Sequence, residues 1–114
     1  MNILNYDGVE IVLEKHNAMT DIAARQVLQT MLNELMPDVP TDKIPFPVFS
    51  VAYTFSLIAT QTKSAKGLPV DIPTFYMEKD KLISSFNYLM RSPEYLGLTT
   101  AWYEAIAALN FYGE

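Results

Sequence analysis

The fold is decided first by residues 17–36, which read NAMTDIAARQVLQTMLNELM. Apolar side chains recur in this stretch every three or four residues, the spacing that places them on one face of an α-helix. Asn17 or Thr20 can cap the start of this helix, and Asp21 in the first turn favours the positive end of its dipole. Pro37 ends it, because a proline disfavours helical geometry at the preceding residue. The pattern therefore predicts a first helix over residues 17–36.

On the N-terminal side of this helix, the sequence predicts a β-hairpin over residues 1–15. Two short β-type runs, residues 3–6 and 9–13, are separated by Asp7 and Gly8. These two residue types tolerate the positive φ angles of a two-residue type I′ turn. Because a hairpin alone is only marginally stable, we expect it to pack against helices.

On the C-terminal side of the first helix, residues 37–47 contain four prolines and predict an extended connector. The next stretch, residues 48–66, allows two interpretations. Its alternation of aromatic and small side chains matches a strand template. Pro47 at the start, Gly67 just after the end and the length of the unit favour a buried helix instead. We expect the helix and leave the strand open.

The last part of the chain, residues 48–114, is rich in aromatic residues and is expected to be helical. Apolar periodicity predicts a helix from about residue 78 to 91. Pro93 fits the first position of a short helix, and Gly97 is expected to separate that helix from the last one. Residues 1–114 are thus expected to form one domain of the mainly α (α+β) class, an N-terminal β-hairpin followed by four to five helices.

Composition excludes several functional classes. The chain of 114 residues is 50% hydrophobic and 18% charged, a composition that folds. It has no Cys and a single His, which leaves no disulfide, no cysteine nucleophile and no thiolate or His-based metal site. A net charge of −5 with scattered cations argues against nucleic-acid binding. The start of the chain lacks the pattern of a signal peptide, and its longest apolar stretch is too short for a membrane span. We therefore expect a cytoplasmic protein.

No motif in the sequence indicates a reaction. His16 is the one side chain of a type suited to acid–base work near neutral pH, and no nucleophile motif accompanies it. Glu34 and Glu104 are the least obviously solvated acids, and we interpret both as surface residues. The four glycines are isolated, so no phosphate-binding loop is present. We expect neither enzymatic activity nor a cofactor nor a metal.

The most distinctive feature is the distribution of aromatic residues, since nine of the 14 lie in the last 40 residues. Tyr and Trp are enriched at interfaces because they bury a large apolar area and keep a polar group. The alternative use of each is the protein's own core, and Trp102 also fits the core face of its helix. Five methionines can supply an adaptable surface for helical partners, and core filling is the alternative use of most of them: Met19, Met31, Met36, Met77 and Met90. The candidate partner-binding residues are Phe75, Tyr76, Tyr88, Tyr95, Trp102, Tyr103 and Tyr112.

Three stretches of the chain, taken in order, resemble a known family. The first is YDGVEIVL at residues 6–13, followed by a helix start at Thr20 and Asp21; the others are FSVAY at residues 49–53 leading into TKSAKGLP at residues 62–69, and AWYEAIAALN at residues 101–110. In this order they resemble the small tail assembly chaperones of long-tailed bacteriophages.

The resemblance implies a helix-rich, non-catalytic protein of the host cytoplasm that is absent from the finished particle. Such proteins coat the long helical tape measure protein, keep it soluble and help recruit tail tube subunits. The family also implies a longer form made by ribosomal frameshifting. The working hypothesis from the sequence is a groove formed by the last two helices, with Phe75 and Tyr76 in the loop before them.

Two alternatives stay open at this point. A small acidic phage-encoded inhibitor of a host enzyme would carry clustered carboxylates on one surface, which the sequence supports weakly. A structural virion component would self-assemble, and self-association is compatible with the sequence.

Overall fold

The computed structural model describes residues 2–68 and 78–112, with the backbone alone for Tyr112. Two short 3₁₀ turns, at Thr41–Lys43 and Pro93–Tyr95, accompany the main elements. The main elements are, in chain order, β1 (Asn2–Tyr6), β2 (Val9–Leu13), α1 (Ala18–Leu35), α2 (Phe46–Gln61), β3 (Thr62–Lys66), α3 (Lys79–Met90) and α4 (Leu96–Tyr112). The mainly helical α+β class is confirmed, with a third strand that the sequence did not predict.

The N-terminal hairpin forms as its turn residues predict. Asp7 and Gly8 have φ angles of 50° and 85°, the two positive values that a type I′ turn requires. The flanking residues Tyr6 and Val9 face each other across the turn. The sheet is antiparallel, with the order β1-β2-β3. Its central strand buries Ile11 against the helices.

The helix predicted over residues 17–36 spans Ala18–Leu35. The Asn17 side chain accepts hydrogen bonds from the backbone N–H groups of Met19 and Thr20, at 2.9 and 3.0 Å. The Thr20 hydroxyl accepts one from the Asn17 N–H at 2.8 Å, which completes a reciprocal capping box.

The prediction of a helix through residue 66 is wrong for its last five residues. Helix α2 ends at Gln61, and β3 begins at the next residue, Thr62. Strand β3 forms because it pairs with β2, with Leu13 opposite Thr62, a contact between distant parts of the chain that local pattern does not encode. Gly67 follows the strand instead of capping a helix. Its φ of 96° and its close approach to the Gly8 carbonyl exclude a side chain there.

Gly97 does not separate two helices, contrary to the sequence prediction. The 3₁₀ turn at Pro93–Tyr95 leads directly into α4, which begins at Leu96. The reason for a glycine lies in packing, because a Cβ at this position would overlap the Tyr6 hydroxyl of the hairpin. Gly97 therefore allows the hairpin to lie close against α4.

Helix α2 lies between the two parts of the hydrophobic core. One part joins the sheet to α4, and the other joins α1, α2 and α3; in the second, Phe55 and Phe86 meet edge to face with ring centroids 5.3 Å apart. Within the described residues, no helix is both long enough and apolar enough to cross a membrane. The fully buried large side chains are Trp102, Phe55, Phe86, Ile11, Met31, Ile58, Leu89, Ile106 and Gln61.

Candidate partner-binding surface

Trp102 belongs to the core and not to a partner-binding surface. Its side chain is fully buried, and its indole Nε1 donates a hydrogen bond to the Thr62 hydroxyl at 3.0 Å. It lies on the apolar stripe of α4, one turn from Leu98 and from Ile106. Since no part of the ring reaches solvent, a partner cannot contact it in this structure, and the sequence prediction for Trp102 is corrected.

Two of the predicted tyrosines meet at the surface. The Tyr95 hydroxyl donates to the Tyr88 hydroxyl at 3.1 Å, and the ring centroids lie 5.2 Å apart. This hydrogen bond, with smaller contributions from burial and from the charges of Tyr88 and Glu94, raises the pKa of Tyr95 to about 12. The pair joins α3 to the turn before α4.

The other predicted residues do not join this pair. Tyr103 is 36% exposed on α4, and among the described side chains no ring contact connects it to Tyr88 or Tyr95. Phe75, Tyr76 and the side chain of Tyr112 lie outside the described residues. The described residues therefore bring together only part of the aromatic surface that the sequence predicts.

A more continuous apolar surface lies elsewhere, in a groove of about 300 Å³ between the end of α1, the start of α2 and the end of α3. All but one of its lining side chains are apolar, and the exception is Arg91. We call this the α1–α2–α3 groove; it is lined by Leu35, Met36, Pro47, Val48, Val51, Phe86, Met90 and Arg91.

The first half of α2 also exposes apolar side chains. The helix contains no charged residue, and its second half is buried from Phe55 to Gln61. Its first half leaves Phe46 78%, Val51 37% and Tyr53 42% exposed. Val51 lines the groove, whereas Tyr53 lines a separate cleft beside α1. Exposed apolar area costs about 25 cal/mol per Å² relative to burial, so an apolar groove of this kind is typical of a binding surface.

Sequence reasoning missed Val48 and Val51 because it treated the whole of residues 48–66 as a buried helix, and it missed Phe46 because it placed this residue in the connector over residues 37–47. A signal was present nonetheless. A helix with no charged residue must be covered on every side, and α1, α3, α4 and β3 cover only part of α2. Of the methionines predicted as adaptable surface, Met36 and Met90 line the groove, whereas Met31 is fully buried in the core and Met77 lies outside the described residues.

The groove carries a charge on its α3 side. There the Arg91 guanidinium lies 5.6 Å from the centroid of the Phe86 ring, a cation–π contact that holds it at the groove wall. The connector between α1 and α2 carries charges of both signs, at the exposed Asp38, Asp42 and Lys43. An acidic group on a partner would therefore find a complement at Arg91.

A second cleft, of about 290 Å³, has a mixed polar and apolar lining that includes His16. Asp21 lies 3.6 Å from the imidazole Nε2 of His16 and 3.0 Å from the Arg25 guanidinium. The nearest hydroxyl, that of Thr20, donates to the Asn17 carbonyl at 3.0 Å as part of the helix cap. Across the described ranges, no three His, Cys, Asp or Glu side chains are grouped as metal ligands. This cluster stabilises the start of α1.

Comparison of the chain with protein-family models, with curated proteins and with solved structures finds no match in any of the three.

Proposed function

We propose that this chain is a tail assembly chaperone of a long-tailed bacteriophage, a non-catalytic protein of the host cytoplasm that binds the helical tape measure protein and keeps it soluble. The observation that carries the proposal is the α1–α2–α3 groove together with the exposed, uncharged first half of α2. A long apolar helix aggregates on its own, and a holding protein must offer it an apolar groove on a charged body.

The groove suits the apolar face of an amphipathic helix. Such a helix is about 10 Å wide and inserts side chains spaced three or four residues apart. Met36 and Met90 have unbranched, flexible side chains that adapt to different residues along a repetitive partner. Phe46, which is 78% exposed and precedes the groove-lining Pro47, offers further apolar area to a partner.

Charge supports the same partner. The chain carries a net charge of −5, and Asp38 lies two residues after the groove-lining Met36. Basic residues that flank the apolar face of a tape measure helix would be attracted to this acidic chain. Tail tube subunits require a second surface. The candidates are the exposed Tyr88 with its half-buried partner Tyr95, and the separate Tyr103.

The test is co-expression with the tape measure protein of the same phage. With the wild-type chain, we expect the partner to become soluble in a complex with several copies of the chain. Val51→Glu places a charge at the groove and should weaken binding at least tenfold, about 1.4 kcal/mol. Ile22→Glu is the matched control and should leave binding unchanged. Ile22 is also an exposed β-branched residue, but it lies near the start of α1, whereas the groove lies at the end of this helix.

Two results would contradict the proposal. In the first, the tape measure protein stays insoluble while the wild-type chain is soluble. A pull-down from host lysate would then test the alternative that the chain inhibits a host enzyme. The two glutamate variants could also bind the partner equally well, which would exclude the groove as the binding surface. Thermal unfolding of each variant shows whether a loss of binding reflects a loss of fold.

A further inference from the structure

Strand β1 has an open edge. The sheet order β1-β2-β3 places β1 at one side, and within the described residues no strand pairs with its outer edge. Ile3 is 46% and Tyr6 37% exposed, and only Leu4 packs against the core. The unpaired N–H and C=O groups of an edge strand are a template for a further strand.

The two edges of the sheet differ in their protection. Strand β3, at the other edge, carries Lys63 and Lys66, both exposed, and its pairing with β2 is irregular between Val12 and Leu13. Charged residues and irregular register are the features that keep edge strands from pairing. Strand β1 reads Asn-Ile-Leu-Asn-Tyr and has neither a charge nor a proline. Only β1 is therefore suited to accept another strand.

The turn decides which groups of β1 face outward. In a hairpin with a two-residue turn, the residues that flank the turn form a hydrogen-bonded pair, and here these are Tyr6 and Val9. Along an antiparallel ladder, hydrogen-bonded pairs alternate with pairs that exchange no hydrogen bonds. Leu4 therefore bonds to β2, whereas the backbone groups of Ile3 and Asn5 point to the open edge. The outward groups belong to two residues placed symmetrically about Leu4.

We propose that β1 pairs antiparallel with β1 of a second copy of this chain about a two-fold axis at Leu4, which joins the two sheets into one of six strands. In this register Ile3 of each copy faces Asn5 of the other, so every outward N–H and C=O of Ile3 and Asn5 gains a partner. Main-chain hydrogen bonds alone would accept a strand of any sequence. The two-fold placement of the outward groups about Leu4, together with the side chains at the contact, selects a second copy as the occupant.

Side chains at the contact fit the same occupant. Beside β1 lies a cleft of about 310 Å³, whose apolar lining comes from Ile3, Leu4, Leu13, Ala105, Ala108 and Leu109. The two Leu4 residues form a pair without hydrogen bonds, with Cα atoms about 4.5 Å apart, and each side chain enters the cleft of the other copy. None of the described residues that line this cleft is charged, so two acidic chains meet there without opposing like charges from this lining.

Sedimentation velocity over a range of concentrations tests the proposal. The wild-type chain should form a dimer whose fraction rises with concentration. Ile3→Lys, which adds a charge at the open edge, and Asn5→Pro, which removes an outward N–H, should each weaken the dimer at least tenfold, about 1.4 kcal/mol. Ser64→Lys is the matched control, because Ser64 lies in the same row and on the same face at the opposite edge. Circular dichroism verifies that each variant folds.

A disulfide identifies the register. The chain has no cysteine, so Leu4→Cys introduces a single thiol, and the Cα separation of the pair lies within disulfide range. We expect Leu4→Cys to form disulfide-linked dimers on oxidation and Ser64→Cys to form none, although Ser64→Cys should still dimerise non-covalently through β1. A wild-type chain that is monomeric throughout would overturn the proposal, as would a dimer that survives Ile3→Lys and does not cross-link through Leu4→Cys. Val51→Glu should leave the dimer unchanged, so this test is independent of the groove.

Discussion

A pair of amide side chains, Gln61 at the end of α2 and Asn110 near the end of α4, gives the most quantitative prediction. Gln61 is fully buried, and its Nε2 donates to the Asn110 Oδ1 at 2.8 Å and to the Glu14 carbonyl at 3.1 Å. Asn110 returns a hydrogen bond from Nδ2 to the Gln61 Oε1 at 3.2 Å, and its Oδ1 accepts the His16 N–H at 3.2 Å. The pair thus joins two helices to the connection between β2 and α1.

The magnitude follows from these four hydrogen bonds. Each side chain takes part in three of them, and two are shared. At about 1 kcal/mol for each bond, Gln61→Leu and Asn110→Leu should each lower the free energy of unfolding by about 3 kcal/mol. The double variant loses the shared bonds only once and should lose about 4 kcal/mol, which leaves a coupling energy of about 2 kcal/mol. Domains of this kind have total stabilities of about 5–15 kcal/mol, so the effect is large.

Urea unfolding measures this coupling, with the fluorescence of Trp102 as the probe, since it is the single tryptophan and lies buried beside Thr62. Asn33→Leu is the control, because this amide is exposed on α1 and should change stability by less than about 0.5 kcal/mol. A coupling energy below about 0.5 kcal/mol would refute the reasoning, since the two side chains would then act independently.

Two further predictions concern the helix cap and the tyrosine pair. Asn17→Ala removes the acceptor of two backbone N–H groups and should lower the free energy of unfolding by about 1 kcal/mol in urea melts; a change like that of Asn33→Ala would contradict the capping role. Ultraviolet titration should find the pKa of Tyr95 near 12 in the wild type and closer to its ordinary value in Tyr88→Phe; equal values would mean that the hydroxyl bond has no effect. Folding raises this pKa, so the neutral Tyr95 hydroxyl contributes to the free energy of unfolding. This contribution is fully present below pH 10.0 and is lost as the pH rises through about 12.

The parts of the fold that the sequence predicts are those that local residues determine. Asp7 and Gly8 set the hairpin turn by their own backbone preferences, and Asn17 with Thr20 sets the start of α1. Strand β3 escaped prediction because its sequence, Thr-Lys-Ser-Ala-Lys, is stabilised as a strand only by pairing with β2, which lies about 50 residues away.

The surface was harder to predict than the fold. The sequence assigned Trp102 both to the partner-binding surface and to the core face of its helix, because tryptophan is common in both places. Only its burial in the structure decides between these two roles. Val48 and Val51 were taken for core because periodicity identifies an apolar face without showing whether anything covers it. Tyr88 and Tyr95 were predicted as surface residues, but their mutual hydrogen bond depends on the turn before α4.

The direct passage from α2 into β3 has a consequence for the order of folding. Hairpin β1–β2 closes through neighbours such as Tyr6 and Val9 and can form within microseconds, whereas β2 and β3 must close a loop that contains both α1 and α2. Because no spacer separates Gln61 from Thr62, the end of the helix fixes the position of the strand. The third strand therefore docks after α2, and on the ribosome the edge of β2 stays uncovered until Lys66 has emerged.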